Sequence, residues 1–283
     1  MSTGITSLRN RLGVTVSTLA LVASGVVGLS PSGAASAHTG TVKVLSAGSL
    51  SNVMMLLGAA FHRDTGYVLQ DTSRGSSALA SGISSKTLQG DVFISASTSA
   101  DRSLEGAAHG NWINGYTTFG SSPDVLAYYP RSKFAAALRS YPWYEVIQSP
   151  GFVLGRTDPA LDPAGVLDLD ALRGIGYAYD MPSLLALAAN PHNVYAEEAV
   201  PGLLQAGQLD AAFMYSVSAH AARLPYVALT GTRHLDAHYT VATLRGAPDP
   251  VAARAFVTWL LTKGTPILVS QGLTVVVHGA SVK

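Results

Sequence analysis

The chain has 283 residues, of which 48% are hydrophobic and 12% charged, enough apolar material for one large domain or two smaller ones. Eighteen basic residues against 17 acidic ones leave a formal charge of +1 at pH 7, a balance that gives no support to nucleic-acid binding. Cysteine is absent, which excludes disulfides, thiolate metal sites and a cysteine nucleophile.

Residues 1–37 read as a secretory signal peptide. Arg9 and Arg11 precede an apolar run from about Val14 to Leu29, and Pro31, Ser32, Gly33 and the small-residue site Ala35-Ser36-Ala37 follow. Cleavage is expected before His38. The apolar run is shorter than the roughly 20 residues that span a bilayer. Removing the segment takes away two basic residues and no acidic one, leaving 16 against 17, or −1. With no cysteine at the cleavage site, a lipid anchor is not expected, and a freely diffusing periplasmic protein is.

The mature chain begins with Val42-Lys-Val-Leu-Ser-Ala-Gly-Ser-Leu-Ser51, a strand feeding a helix through Ala47-Gly48, with Ser49 where an N-cap belongs. Val53, Met54, Leu56, Leu57, Ala60 and Phe61 recur at helical spacing until Gly66. Such a junction aims backbone N–H groups, the helix dipole and a hydroxyl at one point, which suits a small anion; the plainer reading is that Ser49 only caps the helix. Tyr67 to Gln70 is a second strand, and Asp71 to Ala80 repeats the pattern with Ser76 and Ser77 at the turn. Asp91 to Ala96 is a third strand, followed by a helix from Ser99 to about Ala108. Strands alternating with helices predict a parallel α/β sheet with ligands at the strands' carboxyl ends, where Ser49 and Ser76 fall.

Val125 to Tyr129 is predicted as a strand entered through a crossing linker, Gly120 to Pro123. Arg131 to Pro150 reads as peripheral helix, with Trp143 and Tyr144 as packing groups. Phe152 to Pro159 ends a strand, and Pro163 fits the first turn of the next helix, beside Asp162. Glu197 to about Gly207 is helical, Leu209 to Ser216 a strand, Pro225 to Leu229 and His238 to Thr243 returning strands, and Pro250 to about Lys263 an amphipathic helix. Tyr128, Tyr129, Tyr177 and Tyr179 are expected to pack within strands. His234 and His238 flank Asp236, a weak metal pattern in a loop-to-strand region. No nucleophile elbow, phosphate-binding loop, dinucleotide fingerprint or His-Glu-x-x-His is present, so catalysis is not required by anything in the chain. The pattern predicts two α/β lobes with a cleft between them: residues 38–121 and 229–283 forming one, 122–228 the other.

Over nearly all of the mature chain the sequence resembles the substrate-binding proteins of molybdate/tungstate ABC importers, especially the tungstate-type branch. The resemblance rests on Ala47-Gly-Ser-Leu50, Gly75-Ser76, Asp91 to Ala96, Thr157 to Gly165 and Gln205 to Ser216, in that order and spacing. It implies a two-lobed (type II) periplasmic binding protein closing on an oxyanion. Ser49 and Ser76 would donate from the first lobe, the Ala164 N–H and the Tyr215 phenol from the second. Asp162 and Glu197, or Glu198 one position on, would supply carboxylates to the Mo or W centre. The sequence departs from the tungstate-type pattern where Gly165 is followed by Val166 and Leu167 rather than by Tyr-Arg.

Carboxylates facing a dianion need a reason. Their oxygens either bond the metal centre, expanding it from four- toward six-coordination, or accept a proton from a protonated phosphate; sulfate allows neither. Asp162 and Glu197 as simple helix caps is the plainer alternative. The implied partners are a small oxyanion and a membrane permease with a separate ATPase subunit. The implied protein is a monomer without cofactor or enzymatic activity. Binding of phosphate or sulfate, and less readily a secreted serine hydrolase, are the rival readings.

Overall fold

A computed structural model describes residues 40–233 and 235–278. The expected cleavage site before His38, and His234, lie outside the described residues. The described chain runs β1 (Thr41–Ala47), a tight 3-10 turn at Gly48–Leu50, α1 (Ser51–Thr65), β2 (Val68–Arg74), α2 (Ser76–Ser84), β3 (Val92–Ser95), α3 (Thr98–Arg102) and β4 (Thr117–Tyr128). It continues with α4 (Ala135–Ser140), α5 (Trp143–Val146), β5 (Leu154–Thr157), α6 (Pro163–Ala178), α7 (Pro182–Ala189), β6 (Val194–Tyr195), a 3-10 turn at Glu197–Ala199, α8 (Val200–Gln205) and β7 (Ala211–Tyr215). The last elements are α9 (Ser216–Ala221), β8 (Tyr226–Ala228), β9 (Asp236–Thr243), α10 (Pro250–Trp259), a wide turn over Leu260–Gly264, α11 (Thr265–Ser270) and β10 (Thr274–His278).

Most sequence-predicted elements stand where periodicity put them. Helix α1 buries Val53, Met54, Leu57, Ala60 and Phe61 and ends at Gly66, whose φ of 83° is left-handed and whose N–H donates to His62 O at 2.8 Å. Leu56, expected inward, is exposed. Ser49 is not an N-cap: the 3-10 turn starts at Gly48 and places Ser49 inside it, with no side-chain cap bond. The predicted helix from Ser99 to Ala108 stops at Arg102, and Ser216 begins α9 rather than ending β7. Tyr128 lies in β4 and is buried, but Tyr177 lies on α6 and Tyr179 just past it, 74% and 56% exposed. The buried stripe of Leu169, Leu172 and Ile175 leaves Tyr177 on the opposite side of the helix, while Tyr179, at its end, stacks on Tyr144 at 5.6 Å and stays half open to solvent.

The predicted linker at Gly120–Pro123 is the middle of a single twelve-residue strand, β4. Pro123 has no N–H to give a ladder, which is why the sequence reads as a break there. The strand continues because it changes partners at that point. Its first part pairs with β9 and β10, as in Gly120 with Tyr239 and Pro123 with Asp236. From Asp124 onward it pairs with β7 and β8, Asp124 facing Tyr215. The result is one ten-stranded mixed sheet among the described residues, in the order β2-β1-β3-β9-β4-β7-β5-β6, with β8 and β10 also on β4.

The strand directions decide where function can sit. β1 is parallel to β2 and β3, and β9 is antiparallel to both β3 and β4, so β1, β2 and β3 run the same way as the first part of β4, toward its crossing. β7 is antiparallel to β4 and parallel to β5, which is parallel to β6, so these three approach the crossing from the other side. The carboxyl ends of the two sets therefore face each other.

Each sheet half has its own core. Leu45, Leu79, Ile83, Phe93 and Leu104 fill one side of the first half, and Phe61 packs at 5.2 and 5.3 Å from the Phe256 and Trp259 rings on the other. The second half is built on Leu126, Leu154, Leu172, Leu184 and Phe213 around Trp143. Trp143 is buried, edge-on to Phe213 at 5.6 Å, and its indole N–H donates to Thr230 O at 2.9 Å. Trp143→Ala is expected to destabilise the fold by about 3–5 kcal/mol, read as a lowered urea midpoint. A shift under about 1 kcal/mol would mean that the second half can collapse around the space.

Candidate functional site

Of the strands that end at the crossing, five hand the chain to a turn or helix start that carries a candidate residue. β1 leads to Gly48-Ser49, β2 to Gly75-Ser76, β5 to Asp162-Pro163-Ala164, β6 to Glu197 and β7 to Tyr215 at the mouth of α9. Ser49, Ser76, Asp162, Ala164, Glu197 and Tyr215 are all at most 7% exposed. Glu198 is exposed, so burial distinguishes it from Glu197.

Hydrogen bonds tie these segments together across the crossing. Ser218 Oγ on α9 donates to Ser49 O at 3.1 Å, and Ala78 N on α2 donates to Leu161 O at 3.0 Å. A methyl group on Gly48 would sit 2.7 Å from Glu197 Oε2. One on Gly75 would meet Leu161 O at 2.4 Å and Asp162 Oδ2 at 2.7 Å. Both glycines are therefore needed for close approach. Tyr239 Oη, from β9, donates to Ser49 Oγ at 2.9 Å, with its ring 6.2 Å from that of Tyr215. Tyr239 lay within a predicted strand but carried no sequence signal of its own, since its place is set by pairing opposite Gly120.

Asp162 caps α6, its Oδ1 accepting from Ala164 N at 2.7 Å, so the amide expected to face a solute is bonded to the cap. The Asp162 carboxyl also meets that of Glu197, close enough for a proton held by the pair to bridge them. Glu197 opens a 3-10 turn but makes no cap bond, its carboxyl lying against Asp162 and Ser49, and Tyr215 Oη is buried without a partner. Ser76 Oγ accepts from Ala96 N at 3.0 Å.

Burial raises the pKa of Glu197 well above the carboxylate range, and the charge of Asp162 adds to it. Burial likewise raises Asp162, against the hydrogen bonding that favours its ionised form. Two buried carboxyls this close do not both ionise at neutral pH. Tyr215 is held neutral, first by burial and then by the neighbouring carboxylates. A buried carboxyl pair that holds a proton between its members and a Tyr215 hydroxyl without a partner, the latter carrying a desolvation penalty of about 1–3 kcal/mol, are polar groups that a ligand would complete.

Two openings reach the cluster. A cavity of about 430 Å3 touches Asp162 and Glu197 from one side, and one of about 150 Å3 touches Pro163 and Tyr215 from the other. No group of three or more His, Asp or Glu side chains suited to holding a metal ion occurs among the described residues. His238, from the weak metal pattern, stands exposed at the smaller opening.

Two sets of strands meeting end to end around a buried polar hollow is the architecture of the two-lobed periplasmic binding proteins, which hold a solute at that junction. The chain belongs to the bacterial extracellular solute-binding proteins, whose family pattern matches residues 42–274. A Haloferax volcanii protein provisionally named as the molybdenum-binding protein of an ABC transporter is 28% identical over 258 residues, covering 83% of this chain and 82% of its own. The molybdate/tungstate-binding protein WtpA of Thermococcus kodakarensis is 25% identical over 42% of this chain and 41% of its own. In fold, the chain is similar to the Azotobacter vinelandii periplasmic molybdate-binding protein (TM-score 0.64, 17% identity, covering 82% of this chain and 98% of that one). The sulfate-binding protein SubI of Mycobacterium tuberculosis is comparable (TM-score 0.63, 13% identity, 83% and 86% covered).

Proposed function

We propose that this protein captures molybdate or tungstate outside the cytoplasm and delivers it to the permease of an ABC importer, doing no chemistry itself. The buried Asp162–Glu197 carboxyl pair and the unpartnered Tyr215 Oη, set beside Ser49, carry the reading. The anion's oxygens take hydrogen bonds from Ser49, Ser76 and Tyr215, and from the Ala164 amide once Asp162 turns to the metal centre. Asp162 and Glu197 bond the metal atom itself, which makes two acids compatible with a dianion. Residues 38–121 and 229–283 form one lobe and 122–228 the other, hinged where β4 changes partners and where β8 returns to β9. Residues 1–37 direct export. The permease works with a separate ATPase, and the binding protein acts as a monomer. The relatives named for molybdenum, molybdate or tungstate favour this over phosphate or sulfate. A serine hydrolase gains nothing from the site, where Ser49 Oγ is bonded to Tyr239.

Titration calorimetry with molybdate, tungstate, sulfate and phosphate tests the reading, and a preference for sulfate or phosphate would overturn it. The pH dependence carries a definite sign. In the free protein the carboxyl pair retains a proton above the ordinary range, whereas bonding to the metal centre requires both carboxylates ionised. The bound state therefore holds fewer protons, and affinity rises with pH through the window above the ordinary carboxylate range, levelling once both acids are ionised in the free protein. Calorimetry in buffers of different ionisation enthalpy should register proton release. Affinity falling over that window would mean that the acids donate hydrogen bonds instead.

A further inference from the structure

The binding site offers a dianion no positive side chain, and on the larger approach the anion passes the carboxylates of Asp158 and Glu198 before it meets Asp162 and Glu197. Asp158, Asp162, Glu197 and Glu198 all line the cavity of about 430 Å3, the larger of the two approaches. One cation lines the same cavity: Arg74. It is the last residue of β2, paired with Ala47 at the end of β1, and so stands one residue before the Gly75-Ser76 turn and beside the strand that ends in Gly48-Ser49. Its side chain is exposed. Among the described residues the one ion pair joins Arg63 to Asp64, and the Arg74 guanidinium makes no hydrogen bond. A cation left unpaired among acids in an open channel keeps its field directed at passing solute rather than spent on a neighbour.

We propose that Arg74 is the capture residue of this protein, steering the oxyanion through the larger cavity past the carboxyls at its mouth. The inference rests on the oxyanion reading. Arg74 acts on the encounter and does not touch the bound anion, which the buried donors hold. Its effect belongs to the association rate and is screened by salt, since an exposed charge loses most of its reach beyond a Debye length of about 8–10 Å at ordinary ionic strength.

Stopped-flow binding of molybdate to the wild-type protein, Arg74→Lys, Arg74→Ala and Arg74→Glu at low and high salt provides the test. Arg74→Lys should keep the association rate, Arg74→Ala should lower it about three- to tenfold, and Arg74→Glu by more than about tenfold at low salt. The differences should close as salt approaches about 1 M, and dissociation rates should stay within about twofold throughout. Association of Arg74→Glu at the wild-type rate would overturn the proposal, as would an effect confined to dissociation, which would place Arg74 on the bound anion. Failure of the wild-type protein to bind molybdate at all would instead overturn the oxyanion reading, so the two failures are distinguishable.

Discussion

Replacing Gly75 with alanine is expected to weaken molybdate binding by about 30-fold or more while leaving the protein folded. The backbone itself accepts alanine, because Gly75 has a φ of −52°. Space forbids it: the added methyl would lie 2.4 Å from Leu161 O and 2.7 Å from Asp162 Oδ2. The first of these is main chain and cannot rotate away. Overpacking of this kind costs about 1–3 kcal/mol, and about 2 kcal/mol corresponds to the stated factor. Gly75 and Leu161 belong to opposite sheet halves, so moving the halves apart relieves the clash without unfolding either. Calorimetry should show the weakened affinity, a thermal melt without ligand should be close to wild type, and small-angle scattering should show less contraction on adding molybdate. Wild-type affinity in Gly75→Ala would mean that the approach of Gly75 to Leu161 is not part of the bound state.

The second large effect belongs to Asp162. Asp162→Ala is expected to weaken molybdate binding by well over tenfold, about 1.4 kcal/mol or more, but it also removes the cap on α6. Asp162→Asn separates the two roles. An amide oxygen still accepts from Ala164 N, as the carboxylate does at 2.7 Å, while an amide is a poor ligand for a metal centre. Loss of binding in Asp162→Asn with an unchanged melting temperature supports contact with the metal. Unchanged affinity would leave Asp162 as a cap and remove one of the two carboxylates from the proposed site.

The junctions after β1 and β2 were legible because a strand followed by a small-residue turn and a helical stripe is a local signal, and Asp162 before Pro163 was legible for the same reason. Glu197 could be placed only to within one residue. Two adjacent glutamates look alike in sequence, and what separates them is that one side chain is buried against Gly48 and the other exposed. Tyr239 was invisible as a site residue because a tyrosine in a strand is ordinary, and only the antiparallel register of β9 brings its hydroxyl to Ser49.

The sequence by itself determined the apolar stripes, the turns that end them and the acids and hydroxyls set at those turns, all of them properties of a few neighbouring residues. The tertiary structure alone decided that Gly120–Pro123 is strand rather than linker, because β4 exchanges partners there and the ladder survives a proline. It also decided that the two sets of strand ends point at each other. That follows from which strands lie antiparallel across the sheet, a matter of long-range pairing that no local pattern encodes.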